Sequence, residues 1–160
     1  MRELAPSRPP IRERTGSPHR IAVMPAYNEQ ATVVAVLERL EPLVDEIIVV
    51  DDGSTDCTRA VIFAWAESRP NVHLIFFNRN RGVSAAYYAA FQHVRRRLAL
   101  GDLSPDDIVL TVDADGQHEP AEIEALVGRL MEGGSDAVIT RRDLSIHTRY
   151  KRFGNWLLSL

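Results

Sequence analysis

Ile108-Val109-Leu110-Thr111-Val112 runs directly into Asp113-Ala114-Asp115-Gly116-Gln117-His118. A short apolar run rich in β-branched residues that ends in a Gly-containing polar stretch predicts a buried strand. Two carboxylates one residue apart at the mouth of such a strand are costly to hold together. Like charges that close disfavour each other's ionised form unless a cation neutralises them. One or two carboxylates plus substrate phosphate oxygens is the ligation Mg²⁺ or Mn²⁺ prefers, so Asp113 and Asp115 are candidate metal ligands and catalytic residues. A solvated acidic turn accounts for the same letters, and an isolated Asp-x-Asp does not separate the two readings.

The neighbouring sequence supplies the context. Apolar runs at Ile21–Met24, Glu46–Val50, Val72–Phe76 and Ala137–Ile139 predict further strands. Between them, apolar residues recur at spacings of three and four. Val33, Val36, Leu37 and Leu40 mark one helix, and Thr55–Glu67 behind a Ser54 cap marks a second. Val83, Ala86, Tyr87, Ala90, Phe91 and Val94 mark a third. Ile123, Leu126, Val127, Leu130 and Met131 mark a fourth, between Pro120 and Gly133. Strands alternating with helices predict an α/β fold with a mainly parallel sheet and helices on both faces. Ligands of such sheets bind beyond the carboxyl ends of the strands. That rule gathers four polar clusters on one rim: Pro25-Ala26-Tyr27-Asn28-Glu29, Asp51-Asp52-Gly53-Ser54-Thr55-Asp56, Asn78-Arg79-Asn80-Arg81-Gly82 and the Asp113 cluster.

The 160 residues fit one domain by length, and 45% hydrophobic with 26% charged residues is ordinary globular composition. Cys57 is the one cysteine, which excludes an internal disulfide and a multi-cysteine zinc site. The net charge of −3 divides into +3 over residues 1–20, +4 over 141–160 and −10 between them. An acidic body argues against nucleic acid as a partner. Residues 1–19, rich in Pro and Arg without periodicity, predict a disordered tail, leaving 20–145 as the domain and 146–160 as a C-terminal helix. No signal peptide or membrane-length apolar run is visible in the sequence, which predicts a cytoplasmic protein.

Each cluster has candidate chemistry beside a structural reading. Tyr27 offers a face on which a nucleobase could stack, or packs as a rim aromatic on the first helix. Asp52 could accept a base N–H, while Asp51 and Asp52 together could compensate a helix N-terminus. Neither a G-x-G-x-x-G nor a Walker A sequence is present, so a diphosphate must be met by a metal and by arginines. Arg81, Arg141 and Arg142 are the candidates. Arg95-Arg96-Arg97 reads as dipole compensation at a helix C-terminus. Asp113, Asp115 and Glu124 imitate a calcium loop, but His118 stands where that loop needs Gly and Pro120 interrupts it. Gly82-Val83-Ser84-Ala85-Ala86 is a poor nucleophile elbow, since four polar residues separate it from its strand. The five histidines lack ligand spacing and read as structural or surface residues.

From Ile21 to Arg142 the ordered set of clusters resembles the family-2 glycosyltransferases of the GT-A fold, which is Rossmann-like. The resemblance implies a nucleotide-sugar donor held by Pro25, Tyr27, Asn28, Glu29, Asp51, Asp52 and Arg81. It also implies Mg²⁺ or Mn²⁺ on Asp113, Asp115 and Gln117, and phosphate contacts from Arg141 and Arg142, with Arg149 or Arg152 beyond them. The Gln117-His118 ending is most similar to the polyprenyl-phosphate sugar transferases, which implies an inverting transfer to a lipid phosphate. Tyr150–Leu160, basic and then apolar, is either the start of an interfacial helix at the inner face of a membrane or a core-packing helix. Two other readings remain: a nucleotide-sugar-binding module without turnover, and a Mg²⁺-dependent phosphotransfer domain using Asp51 or Asp113.

Overall fold

A computed structural model describes residues 17–116, 120–133 and 136–138. The elements, in chain order, are β1 (Arg20–Ala26), α1 (Val33–Leu40), a 3-10 turn (Glu41–Leu43), β2 (Glu46–Asp51), α2 (Thr58–Ala66), β3 (Val72–Phe76), α3 (Val83–Leu100), β4 (Ile108–Thr111) and α4 (Pro120–Met131). Ala137 and Val138 lie in no regular element, and Ile139 is outside the described residues, as are 1–16 and 139–160 with the expected C-terminal helix. The chain divides into two compact units, Met1–Glu124 and Ala125–Leu160. The sheet and its loops belong to the first.

The four strands are parallel, in the order β3-β2-β1-β4. Each pair of parallel strands needs a crossover, and the intervening helices supply it. Chain order runs outward from β1 through β2 to β3, then returns to place β4 on the other side of β1. The order therefore reverses between β1 and β4, and a crevice opens at such a switch point. Register pairs Ala26 with Asp51 and Asp51 with Phe76, so the loops after β1, β2 and β3 leave from one edge. Val112 extends β4 toward that edge by donating its N–H to the Val23 carbonyl at 3.0 Å.

Alternation along β1 and β2 divides the core in two. Ala22, Met24, Ile47 and Val49 meet Val33, Val36, Leu37 and Ile62 of α1 and α2. Ile21, Val23, Ile48 and Val50 face the other way, against Ala86 and Ala90 of α3. The small alanines seat that helix close to the sheet. The outer residues of the predicted stripes are less covered than their spacing implies: Val83 and Phe91 of α3 and Met131 of α4 are exposed.

The edge opposite the crevice is held by charge. Glu46, the first residue of β2, accepts hydrogen bonds from both terminal nitrogens of Arg97, and His19 and His73 each place Nε2 within 2.9 and 3.2 Å of it. Arg97 therefore pairs with a strand carboxylate and is not simply a solvated counter-charge to its own helix. His19, which composition assigns to the tail, is tied to the body a second time through its N–H, which donates to Asp107. Burial opposes the charged form of Glu46, but hydrogen bonds from Arg97 and His19 and their positive charges outweigh it and lower its pKa from 4.5 to about 2. Burial, with the nearby His73 and Arg97, lowers the pKa of His93.

A carboxyl with a depressed folded-state pKa contributes stability above its unfolded pKa and loses it as pH falls through the folded value. For Glu46 that window lies between pH 4.5 and about 2. Glu46→Gln is expected to lower unfolding free energy at pH 7 by roughly 2–3 kcal/mol. A tenfold change in proton affinity is worth about 1.4 kcal/mol, and solvent screening of this half-open site takes part of it back. In urea titrations the gap to the parent protein should close as pH falls from 5 toward 2; a gap independent of pH would show that the Glu46 charge is not what Arg97 and His19 stabilise.

Candidate functional site

At the switch point the loops enclose a hollow of about 310 Å³, within the range of small-molecule sites. Pro25 lines it from β1, Tyr27 and Glu29 from the loop after β1, and Asp52 from the loop after β2. Asn80, Gly82 and Val83 enter from the approach to α3, and Asp113, Ala114 and Asp115 from the end of β4. All four polar clusters thus reach one space.

The loops after β1 and β2 are zipped by reciprocal hydrogen bonds. Asn28 adopts a left-handed backbone, φ 56°, which Asn tolerates better than most residues. Its N–H donates to Ser54 Oγ at 3.0 Å, and its Oδ1 accepts from the Thr55 N–H at 2.9 Å. The Glu29 N–H donates to Thr58 Oγ1 at 2.8 Å, and the Cys57 N–H donates to Gln30 Oε1 at 2.9 Å. Asn28 is thus a latch between loops and is absent from the lining, while Tyr27 and Glu29 on either side of it reach the hollow. The same bonds delay α2. Ser54 and the N–H groups of Thr55 and Cys57 are engaged across the loop, so the helix begins at Thr58 with Cys57 at its cap position, not behind Ser54.

The adjacent aspartates have separate tasks. Asp51 is fully buried. Its Oδ2 accepts from Arg59 Nε and Nη2 at 2.9 and 2.7 Å, and its Oδ1 accepts from the Ser54 N–H at 3.2 Å. Arg59 also donates to the Phe77 carbonyl and lies 5.0 Å over the Phe76 ring. Asp51 therefore faces α2 and does not line the hollow. Asp52, 3% exposed, accepts from the Arg81 N–H at 2.7 Å on Oδ1 and from the Gly82 N–H at 2.9 Å on Oδ2. It clamps the entry to α3 against the sheet. Arg81 takes part through its backbone, while its guanidinium sits 5.0 Å over the Phe77 ring and is not in the lining.

Gly53 makes this clamp possible. At φ +71° it has a backbone that L residues rarely adopt, and a Cβ there would meet Arg79 C at 2.2 Å and Asn80 N at 2.6 Å. On the β4 side, Val112 and Ala114 are buried, while the intervening Asp113 and the following Asp115 are half-buried and line the hollow. Gly116, at φ +76°, ends the turn against Val36. The described lining residues include no thiol or imidazole, and carboxylate oxygen is the donor type that hard divalent cations take. Among the described residues no group of three or more His, Cys, Asp or Glu could hold a metal. A cation here would draw its remaining ligands from residues outside the described ones, a bound molecule or solvent. Gln117, Arg141 and Arg142 are outside the described residues.

A model of the family described as glycosyl transferase family 2 matches residues 21–158. The chain belongs to that family. It is 36% identical over 128 residues to an undecaprenyl-phosphate 4-deoxy-4-formamido-L-arabinose transferase of Shewanella sediminis, covering 75% of this chain and 35% of the relative. An uncharacterised protein of Methanocaldococcus jannaschii is 31% identical over 141 residues, covering 88% of this chain and 59% of its own. The chain thus spans well under two thirds of these relatives' length. Among solved structures it is similar to glucosyl-3-phosphoglycerate synthase from Mycobacterium tuberculosis, in complex with Mn²⁺, UDP-glucose and phosphoglyceric acid. The TM-score is 0.52 at 29% identity, covering 73% of this chain and 40% of that one. The parallel α/β fold therefore resembles a GT-A glycosyltransferase structure.

Reading the sequence alone missed Arg59 and Thr58 as the partners that hold these loops. A lone Arg eight residues beyond a strand-end Asp, one turn into a helix, is the signal that was available.

Gly53→Ala should cost more than about 2 kcal/mol, since a left-handed non-glycine residue costs about 1–3 kcal/mol before any clash. Gly101→Ala is the control: its φ is +79° but nothing lies within 4 Å of the added carbon. Equal denaturation midpoints for the two variants would show that the close approach of residues 79–80 to Gly53 is not a constraint.

Proposed function

We propose that this chain carries the donor site of a metal-dependent, inverting glycosyltransferase that moves a sugar from a nucleoside-diphosphate sugar to a polyprenyl phosphate. The observation that carries the reading is the convergence of Tyr27, Asp113 and Asp115 on one hollow at the β1/β4 switch point. Tyr27, 42% exposed, is an aromatic face open to a base. Asp52 keeps further acceptor lone pairs for a base N–H while holding the 81–82 backbone. Asp113 and Asp115 hold Mg²⁺ or Mn²⁺, with Gln117 as a further ligand and Arg141 and Arg142 on the phosphates. The cation supplies Lewis-acid stabilisation of the departing nucleoside diphosphate.

A phosphate acceptor is already anionic near neutral pH, so attack at the anomeric carbon asks for little general-base help. The named activities of the Shewanella relative and of the mycobacterial structure both involve phosphate-bearing molecules, which supports an acceptor of that class. No helix among the described residues is long and apolar enough to cross a membrane. The reading places contact with a lipid phosphate at the cytoplasmic face of a membrane. A phosphotransfer reading through Asp51 is disfavoured because that carboxylate is buried against Arg59.

Calorimetric titration with UDP- and GDP-sugars, with and without Mn²⁺, tests the reading. Binding to one of them that needs the metal and is lost in Asp115→Ala is expected. Equal binding with and without metal, or in the variant, would remove Asp115 from the site. Transfer of label to a short-chain polyprenyl phosphate distinguishes an enzyme from a binding module, and an acyl-phosphate after phosphodonor treatment would support phosphotransfer instead.

Tyr27→Ala should weaken donor binding by about 1–3 kcal/mol, the range for stacking a base on an aromatic ring. Unchanged affinity would assign Tyr27 to packing on the rim.

A further inference from the structure

One layer beneath the hollow, α3 places a tyrosine against the first of the two hollow-lining carboxylates after β4. Tyr87 belongs to the helix face that carries Ala86 and Ala90, and its ring packs against the second core. It lies nearly parallel to Phe91, with centroids 6.1 Å apart and planes 18° from each other. A phenylalanine would fill that space equally well. The hydroxyl, however, donates to Asp113 Oδ1 at 3.4 Å. Tyr87 does not line the hollow but reaches Asp113, which does.

Buried Val112 and Ala114 fix the backbone on either side of Asp113, and the phenol hydroxyl bears on its side-chain torsions. Repulsion from Asp115 favours turning the two carboxylates apart, whereas a shared cation needs them together. A donor anchored in the core opposes that rotation, because the Phe91 stack and the second core hold the phenol ring.

We propose that Tyr87 is a positioning residue for Asp113, its hydroxyl holding the carboxylate in the orientation that receives a divalent cation. The proposal rests on the reading of Asp113 and Asp115 as cation ligands. Partners behind a metal ligand commonly change metal affinity by roughly 10- to 100-fold when removed.

Tyr87→Phe deletes the hydroxyl and keeps the ring. The test is the Mn²⁺ concentration that half-saturates binding of UDP or GDP to the 160-residue chain, measured calorimetrically for the parent, Tyr87→Phe and Asp113→Asn. The expected result is a roughly 10- to 100-fold rise for Tyr87→Phe, with an unchanged melting midpoint without metal and a larger loss for Asp113→Asn. A lowered melting midpoint with parental Mn²⁺ dependence would assign Tyr87 to packing alone and overturn the proposal. Parental behaviour in Tyr87→Phe with loss in Asp113→Asn would overturn it while leaving the cation reading intact. Parent protein that binds neither nucleotide in a metal-dependent way would remove the cation reading and this proposal with it.

Discussion

β1 is hydrogen-bonded on both sides, to β2 from Ile21 to Ala26 and to β4 from Arg20 to Val23, and its central residues Ile21, Ala22, Val23 and Met24 have no solvent exposure. A strand enclosed at both edges and on both faces cannot hold a charged side chain along its length without losing hydration. Polar chemistry is therefore displaced to the strand ends. With all strands parallel, the four C-terminal ends share one edge, and reversal of strand order across β1 separates the loops there enough to leave a hollow. The site is a consequence of how the apolar residues are buried, and its location needs no special device.

The carboxylates at and near that edge show how one fold treats the same group differently. Asp51 is buried, and the Arg59 guanidinium and the Ser54 N–H satisfy it. Asp52 is nearly as buried and is satisfied by backbone N–H groups of the loop before α3. Both are buried charges, costly to leave unpaired and engaged by neighbouring donors, though Asp52 also lines the hollow. Asp113 and Asp115 differ in lining the hollow as a pair, on either side of buried Ala114. Carboxylates one residue apart disfavour each other's charge, which a divalent cation would offset.

The parallel sheet, its four strands and the rim that gathers the polar clusters were legible from apolar runs and helical spacings, since burial periodicity is local in sequence. Tyr27, Asp113 and Asp115 were legible as site candidates for a related reason: they follow apolar strands at the edge where ligands of such sheets bind. Asn28 and Asp51 were not separable from them by sequence. Their partners, Ser54 with Thr55 and Arg59, come from a different loop or helix, and only the fold brings these together. Arg97 was read as a helix-end charge for the same reason, because Glu46 is 51 residues away. The start of α2 failed on a competition: Ser54 is a good cap by type, but its hydroxyl accepts from Asn28 instead.

Gly53 and Asp52 connect the two kinds of residue. The 79–80 backbone lies where a side chain at position 53 would be, and Asp52 grips the next two N–H groups. This fixes where α3 begins, and a helix is rigid over the roughly one and a half turns that separate Gly82 from Tyr87. The loop after β2 thereby sets the position of a hydroxyl that meets the loop after β4, across the width of β1. The loops after β2 and β4 are then not independent: a change that loosens the Gly53 contact displaces α3 and with it a hydroxyl that meets Asp113. Tight packing at a glycine with no ligand contact of its own is in this way coupled to the geometry of the carboxylate pair.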